Sequence, residues 1–186
     1  MTAGILLALI IVMQLLKNFI PALVSGSIIN TAMIIATINI GIWWGVGFSV
    51  ITPVLSILFA WASPMTALTM ATYGLNIPII ALGNVIMIVL AWLGYKFYRN
   101  EEKIKQLPLR ITIFIVFLAL GAVLKWLFMW GSSVWIIEPV FKESLTKQMI
   151  VVLNNLFSLT QLIAGSISVP LVFFAQLALD KFYHKY

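Results

Sequence analysis

Lys125 is the side chain whose setting most asks for a chemical explanation. It stands in FLALGAVLKWLFMWGSS, residues 117–133, as the one charge in an apolar run, with Trp126, Phe128 and Trp130 close by. An ammonium among aromatic rings can hold a carboxylate, a phosphate or an electron-rich carbonyl while the rings cover a flat ligand face. Gln14, Asn30, Asn84 and Gln161 sit in similarly apolar runs, and Thr52, Ser56 and Ser158 add hydroxyls. Such groups bind; catalysis needs a proton-transfer group or an activated nucleophile, and the chain is poor in both. Its acids are Glu101, Glu102, Glu138, Glu143 and Asp180, all in loops or at the ends of apolar runs, its one histidine is His184, and cysteine is absent. No carboxylate pair, metal-ligand cluster or GxxxxGK[ST] phosphate loop occurs. The expectation is a binding protein that is not an enzyme, with no cofactor and no metal.

The elements that position these groups follow from composition. With 63% hydrophobic and 9% charged residues, the chain lacks the polar surface of a water-soluble globule. Crossing the hydrocarbon takes roughly 20 apolar residues as a helix, and strand-like alternation is absent. The fold class is therefore an all-α integral membrane protein. Charges, prolines and glycines mark off six transmembrane helices in a single domain, residues 1–186, with spans at roughly 3–20, 22–40, 42–62, 76–98, 110–131 and 156–180. The first run lacks the basic start and the small-residue cleavage site of a secretory signal and is expected to be a retained span. SPMTALTMATYGLN reads as a polar loop, and the Lys142 to Leu156 part of the last connection as a surface helix.

Lysine and arginine set the orientation. The face holding both termini carries Lys96, Arg99, Lys103, Lys105, Arg110, Lys181 and Lys185, against Lys17, Lys142 and Lys147 opposite. Both termini are expected in the cytoplasm of a multi-pass cell-membrane protein. The net charge of +6 is then a topology signal, and nucleic acid is not an expected partner. Trp43, Trp44, Trp92, Tyr95, Tyr98, Tyr183 and Tyr186 are expected at the cytoplasmic interface, and Trp61, Trp130 and Trp135 at the outer one.

At about 1.5 Å per helical residue, Lys125, Gln14, Asn30, Asn84, Gln161, Thr52 and Ser56 fall in the outer half. The inner half offers Thr37, Asn39 and Gln176. Ser158, Gln161, Gly165 and Ser168 share one helix face, as do Gly121, Lys125, Phe128 and Ser132. Polar stripes turn away from lipid, which predicts a cavity open to the outside. Two plainer readings stand beside it: amides as interhelical glue, and Lys125 snorkelling to the headgroups. Ala3, Gly4 and Ala8 form a small-residue patch suited to a partner helix or to packing within the chain. Gly41 and Gly45 in GIWWG read as the turn between the second and third spans.

The phrases SGSIINTAMIIATINIGIWWGVGFSVITPVLSILFA, IPIIALGNVIMIVL and FSLTQLIAG, within a chain of this length and layout, resemble the substrate-binding S components of energy-coupling factor (ECF) transporters. The resemblance implies a bundle that binds a small-molecule micronutrient in its outer half. It also implies a membrane coupling subunit and two cytoplasmic ATPases as partners, which drive the S component to tip over in the bilayer. The family's alanine-rich contact motif maps onto Ala3, Gly4 and Ala8, with glycine replacing one alanine and the second alanine displaced. The ligand site would comprise Lys125, Asn84, Gln161, Asn30, Gln14, Trp126, Trp130 and Ser158. A ring with a polar or anionic arm fits it, as in vitamins, their precursors or modified nucleobases. Two rival functions fit the same composition: a membrane scaffold or assembly protein, and a self-sufficient solute facilitator.

Overall fold

The computed structural model describes residues 2–59, 64–100, 102 and 104–183. Trp61, Glu101, Lys103, His184, Lys185 and Tyr186 lie outside those residues. The described chain is helical, with no strand among the described residues. Its helices are α1 (Thr2–Leu15), α2 (Ala22–Asn39), α3 (Ile42–Phe59), α4 (Pro64–Ala71), α5 (Asn76–Tyr98), α6 (Leu107–Ser132), α7 (Glu138–Val140), α8 (Lys147–Phe157) and α9 (Leu159–Tyr183).

Five stretches are long and apolar enough to cross a membrane: α2, α3, α5, the composite Leu107–Val140 and the composite Lys147–Lys181. In lipid only a helix satisfies every backbone group within its own segment, so such stretches have one stable option. The apolar α1 has 14 residues, about 21 Å of rise. A 3-10 turn, Leu16–Asn18, extends it.

The connections differ from expectation in two places. The segment read as a polar loop after the third span is the helix α4, and α6 does not stop near residue 131. It runs through a π-helical turn, Ser133–Ile137, into α7. The expected surface helix is α8, begun by the Thr146 hydroxyl accepting from the Met149 amide at 3.3 Å. Gly41, at φ 135°, makes the α2–α3 turn alone. Gly45 lies inside α3, where a Cβ would collide with Thr37.

α5 and α6 form the most extensive helix pair, and missing side chains permit it. A Cβ on Gly121 would stand 3.0 Å from the Met87 carbonyl oxygen, and one on Gly83 3.0 Å from Met129 Cγ. α9 approaches α6 the same way, since a Cβ on Gly165 would stand 2.8 Å from that of Ala122.

Two apolar clusters hold the bundle. The larger includes Ile10, Ile29, Met33, Phe48, Met87, Ile88, Phe114, Leu118 and Val172. The smaller joins Leu68, Ile79, Met129, Ile137, Leu145, Leu153 and Phe157, so that α4 and α8 cap the end of the bundle remote from Tyr98 and Asp180. We call this the capped end.

Candidate functional site

On α5 and α6 a polar side chain separates the two clusters. On α6, Lys125 follows Leu118 of the larger cluster and precedes Met129 of the smaller. On α5, Asn84 lies between Ile79 and Met87 in the same way. Gln14 follows Ile10 on α1, Asn30 lies between Ile29 and Ala32 of the larger cluster on α2, and Thr52 and Ser56 follow Phe48 on α3. All six are buried, Lys125 to 2% exposure. Polar groups of five helices are thus buried within or beside the larger cluster, and on α5 and α6 they part it from the smaller.

Within the layer, Lys125 Nζ donates to Asn30 Oδ1 at 2.8 Å. The side chain turns inward to α2 and does not reach for the surface. Its stem lies along α5, where a Cβ on Gly83 would stand 3.6 Å from Lys125 Cγ. Gln14 Nε2 donates to the Thr52 carbonyl at 3.2 Å, one residue before Pro53 within α3. Lys17, read from sequence as a topology charge, also points into the bundle, donating to Ser56 Oγ at 2.8 Å.

Several buried polar atoms in this half have no partner: Gln14 Oε1, Asn30 Nδ2, Trp126 Nε1 and Ser133 Oγ. Each such atom costs about 1–3 kcal/mol if left so, and native proteins leave few. Neither Asn84 nor the half-buried Gln161 has a side-chain hydrogen bond among the described residues. The remaining expected residues sit at the margin. Trp130 is 39% exposed and stacks on Trp126 with ring centroids 6.3 Å apart. The Ser158 hydroxyl donates to the Asn154 carbonyl at the α8–α9 break. Lower on the same α9 face, Gly165 and Ser168 are buried, with Ser168 Oγ donating to the Gly165 carbonyl at 2.6 Å; this part of the stripe is a packing seam.

The opposite end holds a polar cluster that sequence reasoning undervalued. Gln176 Nε2 donates to Asp180 Oδ1 at 3.0 Å and to Tyr95 Oη at 3.3 Å, and Asn39 Nδ2 donates to Gln176 Oε1 at 2.9 Å. Tyr98 Oη donates to Asp180 Oδ2 at 3.4 Å, with Arg99 at 4.0 Å from the same carboxylate. Tyr95 and Tyr98, both half-buried in the last turns of α5, pack on Phe114. The signal that would have found this cluster is the spacing of Gln176 and Asp180, one turn apart. Trp43 (82% exposed) and Trp135 (75% exposed) do lie on the surface, and Lys96 covers the Trp92 ring at 3.7 Å.

On α1, Gly4 and Ala8 are exposed and Ala3 is half-buried. A Cβ on Gly4 would meet nothing within 4 Å, so that glycine serves no contact inside the chain.

Apolar helices enclosing a buried, partly unsatisfied polar layer define a multi-pass membrane protein. The sequence matches the family described as ECF transporter, substrate-specific component, over residues 1–177. The chain belongs to that family and is a substrate-binding subunit of an ECF transporter. No curated protein and no solved structure matches it. Members of this family bind solute and are not themselves ATPases.

Proposed function

We propose that the chain is the high-affinity binding subunit of an ATP-driven importer for a vitamin-like micronutrient. In this reading it spans the membrane six times, α1 being completed by its 3-10 turn. Both termini are cytoplasmic, as the lysine and arginine bias of the connections favours, and the capped end faces outward. The solute occupies the polar layer, held by Lys125, Asn30, Asn84, Gln14 and Gln161, with the Trp126 N–H as a further donor. Trp130 extends the wall toward lipid, and Ser158 shapes the α8–α9 break beside it. α4 and α8 cover the layer from outside. Tyr73 stands at φ 49° at the end of α4, a conformation costly for a large side chain, and its ring lies 6.1 Å from Phe141 before α8. Those contacts link the two covering segments.

The observation that carries this reading is the burial of Lys125 on a neutral partner, between two apolar clusters, beside polar atoms with no partner. Glue between helices would have left those atoms satisfied. Delivery requires a coupling membrane subunit and two cytoplasmic ATPases, and the exposed Gly4 and Ala8 surface, with Ala3, is the proposed docking face. Tipping against that partner would present the layer to the cytoplasm. The test is isolation of the chain from native membranes, with mass spectrometry of the proteins and small molecules it retains. Copurifying ATPases and a bound solute are expected. A scaffold would retain no solute, and a self-sufficient facilitator would transport into liposomes without ATP.

A further inference from the structure

The ligand's charge can be argued from a surplus of donors. An ammonium has three N–H donors and no acceptor. Lys125 places one of them on Asn30 and, with 2% exposure, has no water-filled surface for the others. Asn30 Nδ2 and Trp126 Nε1 are further buried donors without partners, against Gln14 Oε1 as a free acceptor of the same layer; the unpartnered Ser133 hydroxyl can donate or accept, and the unpartnered Glu138 Oε1 lies farther toward the capped end. Lys17 adds a second ammonium, also bonded to a neutral oxygen, that of Ser56. Asn30 lies one turn from Met33 on α2 and Ser56 one turn from Thr52 on α3, both on the capped side of the 3.8 Å contact between Thr52 Oγ1 and Met33 Sδ, so the two ammonium groups sit on facing helices at one level, and like charges in a poorly solvated site repel strongly.

No carboxylate among the described residues relieves that repulsion. Among the described residues, neither lysine has an acid within ion-pair distance. The acids in the connections at the capped end are Glu138 and Glu143. Glu138 is more than three helical turns beyond Lys125, about 20 Å along the chain, and Glu143 is exposed. Desolvated cations without a counter-ion are costly, and a site rich in donors is complementary to a group that only accepts.

We propose, resting on the binding-subunit reading above, that the solute is an anion whose carboxylate or phosphate is held between the ammonium groups of Lys17 and Lys125. Asn30 Nδ2 supplies an additional donor to the same group. Lys17 joins the site from the connection after α1, so the anionic arm of the solute points toward α1 and α3. The rest of the solute extends toward Asn84 and Gln161.

The test compares wild type, Lys17→Gln, Lys17→Arg and Lys125→Met, each purified from native membranes, shown monodisperse, and extracted for retained small molecules. The expected wild-type solute carries a negative charge at neutral pH. Its retention should fall about 10-fold in Lys17→Gln, stay within about threefold in Lys17→Arg, and be lost in Lys125→Met. A neutral or cationic solute retained equally by wild type and Lys17→Gln would overturn the anion assignment and leave the binding-subunit reading standing. A phospholipid as the sole retained anion would also overturn it, since the two ammonium groups would then be reading a headgroup. If wild type retains no solute at all, both readings fall together.

Discussion

The two ends of the bundle each hold a polar cluster, and they are built on opposite principles. Around Asp180, donors and acceptors are matched: the carboxylate takes Gln176, Tyr98 and Arg99, and Gln176 in turn exchanges hydrogen bonds with Asn39 and Tyr95. Around Lys125 the matching fails, with cations on neutral oxygens and an indole, two amides and a hydroxyl holding buried atoms without partners. A network closed on itself ties helices together. A network left open inside an apolar sandwich is poised to be completed from outside the chain. Burial of polar groups in a membrane protein therefore does not mark a site; burial without reciprocity does.

The sharpest way to break the contrast is Lys125→Ala. Removing the cation should lower solute affinity by at least about 100-fold, measured on purified protein, while expression and monodispersity are kept. Unchanged affinity would take Lys125 out of the site and make the two clusters equivalent in kind. The docking face offers a second, independent lever. Gly4→Trp should reduce recovery of coupling partners by about 10-fold, with solute affinity unaltered, because a side chain there meets nothing within the chain and protrudes only toward a neighbour.

The matched cluster should respond in the reverse sense. Gln176→Leu is expected to cost about 1 kcal/mol of stability, read by thermal or denaturant unfolding in detergent, with solute affinity within about threefold of wild type. A large loss of affinity would show that this cluster too communicates with ligand. The smallest effect is expected at the margin: Trp130→Ala, on a ring 39% exposed, should change affinity by less than about threefold. A greater loss would bring the Trp126–Trp130 stack into the site proper.

The chain's hydropathy alone was enough to read the helical membrane fold, and helical arithmetic put Lys125, Asn30, Asn84 and Gln14 at one level; all four are buried, Lys125 and Asn84 between the two apolar clusters. Boundaries were less legible. α4 was read as a loop because eight residues with threonines and a following Tyr–Gly turn carry no long apolar signal; packing of Leu68 against Leu153 and Phe157 in the same cluster stabilises it instead. Gly165 and Gly121 were read as parts of polar stripes, yet their role is close approach of backbones, which depends on a neighbour that sequence does not name.

What the amino-acid sequence determined by itself is which groups are too polar to face lipid and how deep each lies, because helical rise converts residue number into depth. What only the tertiary structure decided is who meets whom: Lys125 with Asn30, Lys17 with Ser56, Asp180 with Tyr98. Depth is a property of one helix, whereas reciprocity depends on the rotation and approach of several helices at once. That arrangement is set by glycine contacts and side-chain shape across the bundle, and it separates a closed polar cluster from an open one.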